Sequence, residues 1–264
     1  MNSDIFIAGG CSFTFGSELM DTDSNWSCLL NKIQETQGNY VNTALPGASN
    51  SGIARRILHQ LSTHKSENIK GVVAMWSFSS RYDWAMPEHN ELEDKRWTSI
   101  TPWDASISAE ERHRNIAGSE EQRVKWKDRE DLMVDTGVKP FADALYRHAS
   151  NEYHEIFLSW KSIIWLQNIL EKKKIPFMFT LADNSLFYQE FDHFKDKDGL
   201  LSALHNEIDF TKWFSFGERM MGFNQWALME DYPRGTTHPL DKAHEDAVKL
   251  MMPMYKKIKG GVRS

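Results

Sequence analysis

The sequence predicts an α/β protein built on a parallel sheet. Three features carry this reading: short apolar runs recur along the chain, each ends in a turn of small residues, and helix-patterned stretches separate the early ones. The order strand, helix, strand, helix, strand implies parallel strands joined by crossover helices.

The first strand is residues 5–8 (IFIA), short, β-branched and aromatic, and stopped by Gly9 and Gly10. Ser24 is placed to cap a helix over residues 25–34 (NWSCLLNKIQ), and residues 40–42 (YVN) supply a second strand. Residues 49–61 (SNSGIARRILHQL) put Ile53, Ile57, Leu58 and Leu61 on one helical face, and residues 71–78 (GVVAMWSF) form the third strand. Between about residues 82 and 150 neither period is clear, which predicts an insertion or lid within a single domain spanning 1–264. Order returns in residues 151–174, where Ile156, Trp160, Ile163, Ile164, Leu166 and Leu170 suit a long amphipathic helix. Residues 176–183 (PFMFTLAD) read as a strand, aromatic-rich helical pieces follow, and residues 238–258 form a terminal helix with a proline at its start.

Composition narrows the function. With 41% apolar residues, 26% charged residues and a net charge of -6, the 264-residue chain has ordinary soluble character. Positive charge neither dominates nor collects in a block, so no nucleic-acid partner is expected. Cys11 and Cys28 make no metal-ligand spacing, and neither a zinc site, a disulfide framework nor a cofactor is expected. The N-terminus lacks a basic region followed by an apolar one, and no stretch approaches membrane-spanning length. The expectation is a cytoplasmic protein with no membrane partner, or a virion-associated one that leaves its cell without a signal peptide.

The chemistry gathers where strands end. Ser12 lies in GGCSFTFG, residues 9–16, just past the first strand, and open α/β sheets bind ligands outside the carboxyl edge of their strands. A phosphate cradle is one reading, but no lysine follows Gly16 and the G-x-G-x-x-G pattern is absent, which leaves only a flavin-phosphate loop. A nucleophilic serine with backbone N–H groups around an oxyanion is another. A tight turn that needs small residues is the third. Two further stretches favour a site: residues 42–53 (NTALPGASNSGI) bring Gly47 to the same sheet edge, and residues 235–248 (GTTHPLDKAHEDAV) place His238 before the terminal helix. A serine near one end of a chain and an imidazole near the other can meet across such an edge, because triads are defined by geometry.

Together GCSFTFG, PGASN and HPLDKAH resemble the SGNH (GDSL-like) hydrolase superfamily, in the manner of a divergent bacterial or phage-type member. Gly10, Ser12, Phe13, Thr14 and Gly16 match its nucleophile block, with Cys11 in place of the usual Asp. The resemblance implies a three-layer α/β/α, flavodoxin-like fold, Ser12 as nucleophile, His238 as general base, and the N–H groups of Ser12 and Gly47 as oxyanion donors. Two family features are missing. The position three before the histidine, usually Asp, is Gly235; Asp231 lies seven residues upstream and Asp241 three downstream. The family's third-block Asn is absent from AMWSFSSRYDW, which leaves Ser77, Ser79 or Arg81 as donors, with Asn50 a further amide or a helix cap.

The implied activity is ester hydrolysis, with O-acetyl groups on a glycan the preferred substrate; an O-acyltransferase and a binding module that has lost catalysis are the alternatives. Trp97, Trp103 and Trp126 in the insertion suit sugar stacking, and Trp76 and Trp84 are placed to line a pocket. Trp160 and Trp165 are assigned to core packing. The segment 213–227 (WFSFGERMMGFNQWA) is expected in the core, with an acyl- or sugar-binding wall as the second reading. Cys11 is expected to point into the core, and His244 to be solvated or packed and not a metal ligand.

Overall fold

The computed structural model describes residues 4–33, 39–86, 97–105, 119–187 and 199–261. In chain order the elements are β1 (Ile5–Gly9), α1 (Ser12–Phe15), α2 (Trp26–Lys32), β2 (Asn39–Asn42), α3 (Asn50–Thr63), β3 (Ile69–Trp76), β4 (Tyr82–Ala85) and β5 (Trp97–Ile100). They continue with α4 (Glu120–Asp135), α5 (Val138–His148), α6 (Glu152–Lys172), β6 (Phe177–Leu181), α7 (Leu200–Asn206), α8 (Phe223–Met229) and α9 (Asp241–Gly261).

The central sheet runs β2-β1-β3-β6, every pairing parallel. Helices flank it, α3 packing with α6 and α2 with α9, so the predicted three-layer α/β/α fold is the one observed. Parallel strands covered on both faces have no polar side to alternate with, and β1 and β6 are buried at every residue. One core joins Phe6, Ile7, Val72, Met75 and Phe179 of the sheet to Ile53 and Ile57 of α3, Trp160 and Ile163 of α6, and Met251 and Tyr255 of α9. Trp213, Phe223 and Trp226 belong to the same core, as expected of their segment. Cys11 is fully buried there too.

Several expectations need correction. The cap of α2 is Asn25, not Ser24. Asn25 Oδ1 accepts the N–H groups of Ser27 and Cys28, while Ser24 closes a short 3-10 turn, Thr22–Ser24. Ser49, whose hydroxyl accepts the Gly52 N–H, caps α3, so Asn50 is its first helical residue. The terminal helix begins at Asp241, because Pro239 is held in a bridge with Arg234 and the Leu240 N–H turns back to the Pro233 carbonyl. Trp165 is 45% exposed on α6, on the side away from the face that carries Trp160 and Ile163.

The segment predicted to be an irregular excursion is ordered through much of its length. β4 and β5 pair as an antiparallel hairpin, and Tyr82, Ile100, Met133, Val138 and Ala142 form a second small core with α4 and α5. α4 escaped the apolar period because Met133 is its one fully buried residue and its surface is held by Lys–carboxylate pairs such as Lys125–Glu121 and Lys127–Asp131. Residues 87–96 and 106–118 of the predicted insertion, and residue 34 of the helix predicted over residues 25–34, lie outside the described residues. Among the described residues no helix is long and apolar enough to cross a membrane.

Candidate active site

At the carboxyl edge of β1 the chain turns through Gly10 and Cys11 into α1, which Ser12 opens. The N–H groups of Thr14 and Phe15 return to the Cys11 carbonyl and those of Gly16 and Ser17 to the Ser12 carbonyl. Gly16, at φ 88°, ends the turn in the left-handed region that glycine enters without steric cost. Ser12 is 8% exposed. Among the described residues its own N–H, at the head of the turn, has no acceptor.

The loop after β2 is tied to the same edge: the Thr43 N–H donates to the Ala8 carbonyl at 2.8 Å and the Leu45 N–H to the Gly10 carbonyl at 3.2 Å. Gly47 follows at φ 79°. A Cβ at Gly47 would lie 3.4 Å from Thr101 Cγ2, so the end of the β4–β5 hairpin rests against this loop.

His238 arrives from the far end of the chain on a tight loop. The Gly235 N–H donates to the His238 carbonyl at 2.9 Å, and Arg234 Nη2 donates to the Thr237 carbonyl at 2.6 Å and to Asn224 Oδ1 at 3.0 Å. The Phe13 ring packs on the imidazole, centroids 4.6 Å apart. His238 Nε2 lies 2.7 Å from Ser12 Oγ, a hydrogen bond between residues 226 positions apart.

Neither acid nearest in sequence reaches the imidazole: Asp231 is exposed and Asp241 opens α9. The acid beside it is Glu18, which the sequence reading did not single out. Glu18 Oε1 is 3.3 Å from His238 Nδ1, and the carboxylate accepts the N–H groups of both Thr237 and His238 and the Thr237 hydroxyl. Burial alone would raise the Glu18 pKa, but the hydrogen bonds from His238 and Thr237 outweigh it and hold the carboxyl at about 2.

The third block takes a different form from the one expected. Asn50 uses its amide inside the protein: Nδ2 donates to the Ser77 carbonyl at 3.1 Å and to Ser159 Oγ at 3.0 Å, while Oδ1 accepts the Ser77 N–H at 2.7 Å. Ser77 is fully buried, and its hydroxyl accepts from Arg81 Nη1 at 2.8 Å, the guanidinium lying over the Phe78 ring. Trp76 does not line a pocket. It is fully buried and packs edge-on against Phe179, since side chains on both faces of this central strand point into helical layers. Trp84 is 47% exposed and, with Ser79 and Arg81, lines a cavity of about 210 Å³ whose lining includes neither Ser12 nor His238.

His244 lies behind His238 at the start of α9, 1% exposed, its Nδ1 accepting the Trp26 N–H at 3.1 Å. Burial, helped by the nearby His238, pulls its pKa down to about 3, so it is a neutral packing residue. Among the described residues no group of three or more His, Cys, Asp and Glu side chains is arranged to hold a metal ion.

No family model matches the sequence, and no curated protein does. Solved structures overlap with it along most of its length. The esterase EstA from Pseudoalteromonas sp., inhibited by monoethylphosphonate, is 11% identical over 96% of this chain and 97% of that one, with a TM-score of 0.45. A lipolytic G-D-S-L family member from Veillonella parvula is 11% identical over 96% and 98%, with a TM-score of 0.45. A two-domain esterase active on acetylated mannans is 10% identical over 97% of this chain and 48% of that one, with a TM-score of 0.44.

Proposed function

We propose that this chain is a serine ester hydrolase of the SGNH type, working through an acyl-enzyme. The observation that carries the reading is the 2.7 Å contact between His238 Nε2 and Ser12 Oγ at the carboxyl edge of a parallel sheet. His238 takes the hydroxyl proton as Oγ attacks the ester carbon, and returns it to the departing alkoxide. Water, deprotonated by the same imidazole, then adds to the acyl-enzyme and releases the acid. The N–H groups of Ser12 and Gly47 are the proposed donors to the oxyanion. The reaction calls for no cofactor.

O-acetyl groups on a carbohydrate are the preferred substrate. Trp84, Trp97 and Trp103 expose 47%, 37% and 45% of their surface on the inserted hairpin and the turn after it, the kind of flat apolar surface on which sugar rings stack.

The test pairs a chromogenic acetate ester with a fluorophosphonate probe, on the wild type and on Ser12→Ala. Turnover and labelling in the wild type, both abolished in the variant, are expected. A wild type that neither turns over nor labels would leave a binding module on this fold, and faster consumption of ester with added sugar acceptors would identify acyl transfer.

A further inference from the structure

We propose that Glu18 is the acid that positions His238 and, together with Thr237, sets which ring nitrogen acts as the base. It does so from just beyond the nucleophile's turn, in space left open by Gly235. The inference rests on the Ser12 esterase reading and adds a residue to it.

Proton bookkeeping carries the argument. An ionised carboxylate only accepts, so each group that meets Glu18 must donate to it. The Thr237 hydroxyl has one proton, and at 2.7 Å from Glu18 Oε1 that proton is committed. Towards His238 Nδ1, also 2.7 Å away, the same oxygen can therefore only accept. Nδ1 must then carry the ring hydrogen, and the direct 3.3 Å approach of Glu18 Oε1 to Nδ1 asks for the same tautomer. Nε2 is left with a lone pair, and it is the nitrogen that faces Ser12 Oγ. When the serine proton moves to Nε2, the resulting imidazolium forms beside a fixed negative charge.

The backbone agrees. Glu18 sits at φ 69°, in the left-handed region that a residue with a side chain occupies only where its surroundings impose it. Those surroundings are the N–H groups of Thr237 and His238, both of which donate to its carboxylate. A Cβ at position 235 would lie 2.2 Å from Glu18 Oε2. The Glu18 carboxylate and any side chain at 235 therefore compete for one place. Among the described residues, the other charged or titratable groups facing this pair are Arg234, which attracts the Glu18 carboxylate from the same loop, and His244, which faces His238 from α9 and stays neutral.

The experiment compares wild type, Ser12→Ala, Glu18→Gln, Glu18→Ala, Thr237→Val, Gly235→Asp and the double variant Glu18→Ala/Gly235→Asp. Each is assayed for acetate-ester kinetics against pH and for the rate of fluorophosphonate labelling, with folding checked by circular dichroism. Glu18→Gln is expected to lower kcat by roughly 10²- to 10⁴-fold with KM little changed. It should also move the acid limb of the profile to lower pH, because the imidazolium has lost its counter-charge. Thr237→Val should reproduce part of both effects. Gly235→Asp alone should be impaired by its clash with Glu18, whereas the double variant, with a short acid supplied from the other side, should recover at least about tenfold over Glu18→Ala. That recovery also guards against a variant that merely misfolds. A labelled, active wild type whose Glu18→Gln form keeps kcat within about threefold and the same acid limb would overturn the role of Glu18 and leave the esterase reading intact. A wild type without labelling or turnover would overturn both.

Discussion

Asn50 grips the main chain of Ser77 from both sides, accepting its N–H at 2.7 Å and donating to its carbonyl at 3.1 Å. A side chain that imitates a strand partner in this way extends the pairing of β3 by one residue past its end, and the third contact, to Ser159 Oγ, fastens α6 to the same point. The group is a strut under the site. Asn50→Ala would leave a buried N–H and a buried carbonyl without partners, at a cost of about 1–3 kcal/mol. Urea unfolding should show that loss as a lower midpoint at unchanged slope. An unchanged midpoint with abolished turnover would instead make the amide an oxyanion donor.

His244 gives the fold a dependence on pH. Its pKa is held at about 3, below the 6.5 of an unburied histidine, so between those values the unfolded chain binds a proton that the folded chain refuses. Stability therefore falls as pH drops through this window, by up to about 1.4 kcal/mol per pH unit for one proton. His205, which burial also pushes down, adds to the loss below pH 6.5. Glu18, shifted down from 4.5 to about 2, adds its own loss only below pH 4.5. His244→Asn keeps an acceptor for the Trp26 N–H without the titration. Unfolding free energies measured between pH 6.5 and 4.5 should lose close to one proton of slope in that variant and keep the part due to His205.

What could be read from the residues alone follows from where information is local. The parallel strands announced themselves because Ile5, Phe6 and Ile7, like Val72 and Val73, are apolar on both faces. Ser12 and His238 were legible because each sits in a short turn with its own pattern of small residues. Glu18 was not, since its partners Thr237 and His238 lie 219 and 220 positions away and no spacing connects them. The one local trace was negative: Gly235 stands where an acid would be expected, and its missing side chain is the room Glu18 fills. Trp76 was misplaced for the opposite reason. On a strand buried on both faces, proximity to the sheet edge does not reveal whether an indole faces a cleft or a helix.

The β4–β5 hairpin is moored to α3 by Arg55. Its Nε donates to Asp83 Oδ2 at 2.8 Å, its Nη2 approaches Oδ1 at 3.3 Å, and its guanidinium lies 4.6 Å from the centre of the Trp97 ring. The Asp83 side chain is 2% exposed, so this is a largely desolvated pair with a stacking partner on the second strand. Lysine keeps the charge but neither the two-pronged geometry nor the flat face. Arg55→Lys should therefore raise hydrogen exchange across β4 and β5 while β1 and β3 stay protected. Equal protection in both proteins would mean that the second core, around Tyr82 and Ile100, holds the hairpin unaided.

Gly10 is where packing and chemistry meet most closely. A Cβ there would lie 2.2 Å from Thr14 Oγ1 and 2.6 Å from Thr14 Cβ, with the Met75 carbonyl at 3.3 Å on another side. Thr14 cannot retreat cheaply: it is fully buried, and its hydroxyl accepts the Trp26 indole N–H at 3.2 Å. One added methyl must push α1 away from β3, and α1 carries Ser12. Gly10→Ala should cost about 1–3 kcal/mol of stability, as overpacking does. It should also reduce fluorophosphonate labelling by more than the fraction unfolded accounts for, because the Ser12 hydroxyl moves off its 2.7 Å line to His238. Labelling that falls only in step with the folded fraction would show that the turn absorbs the methyl without moving Ser12.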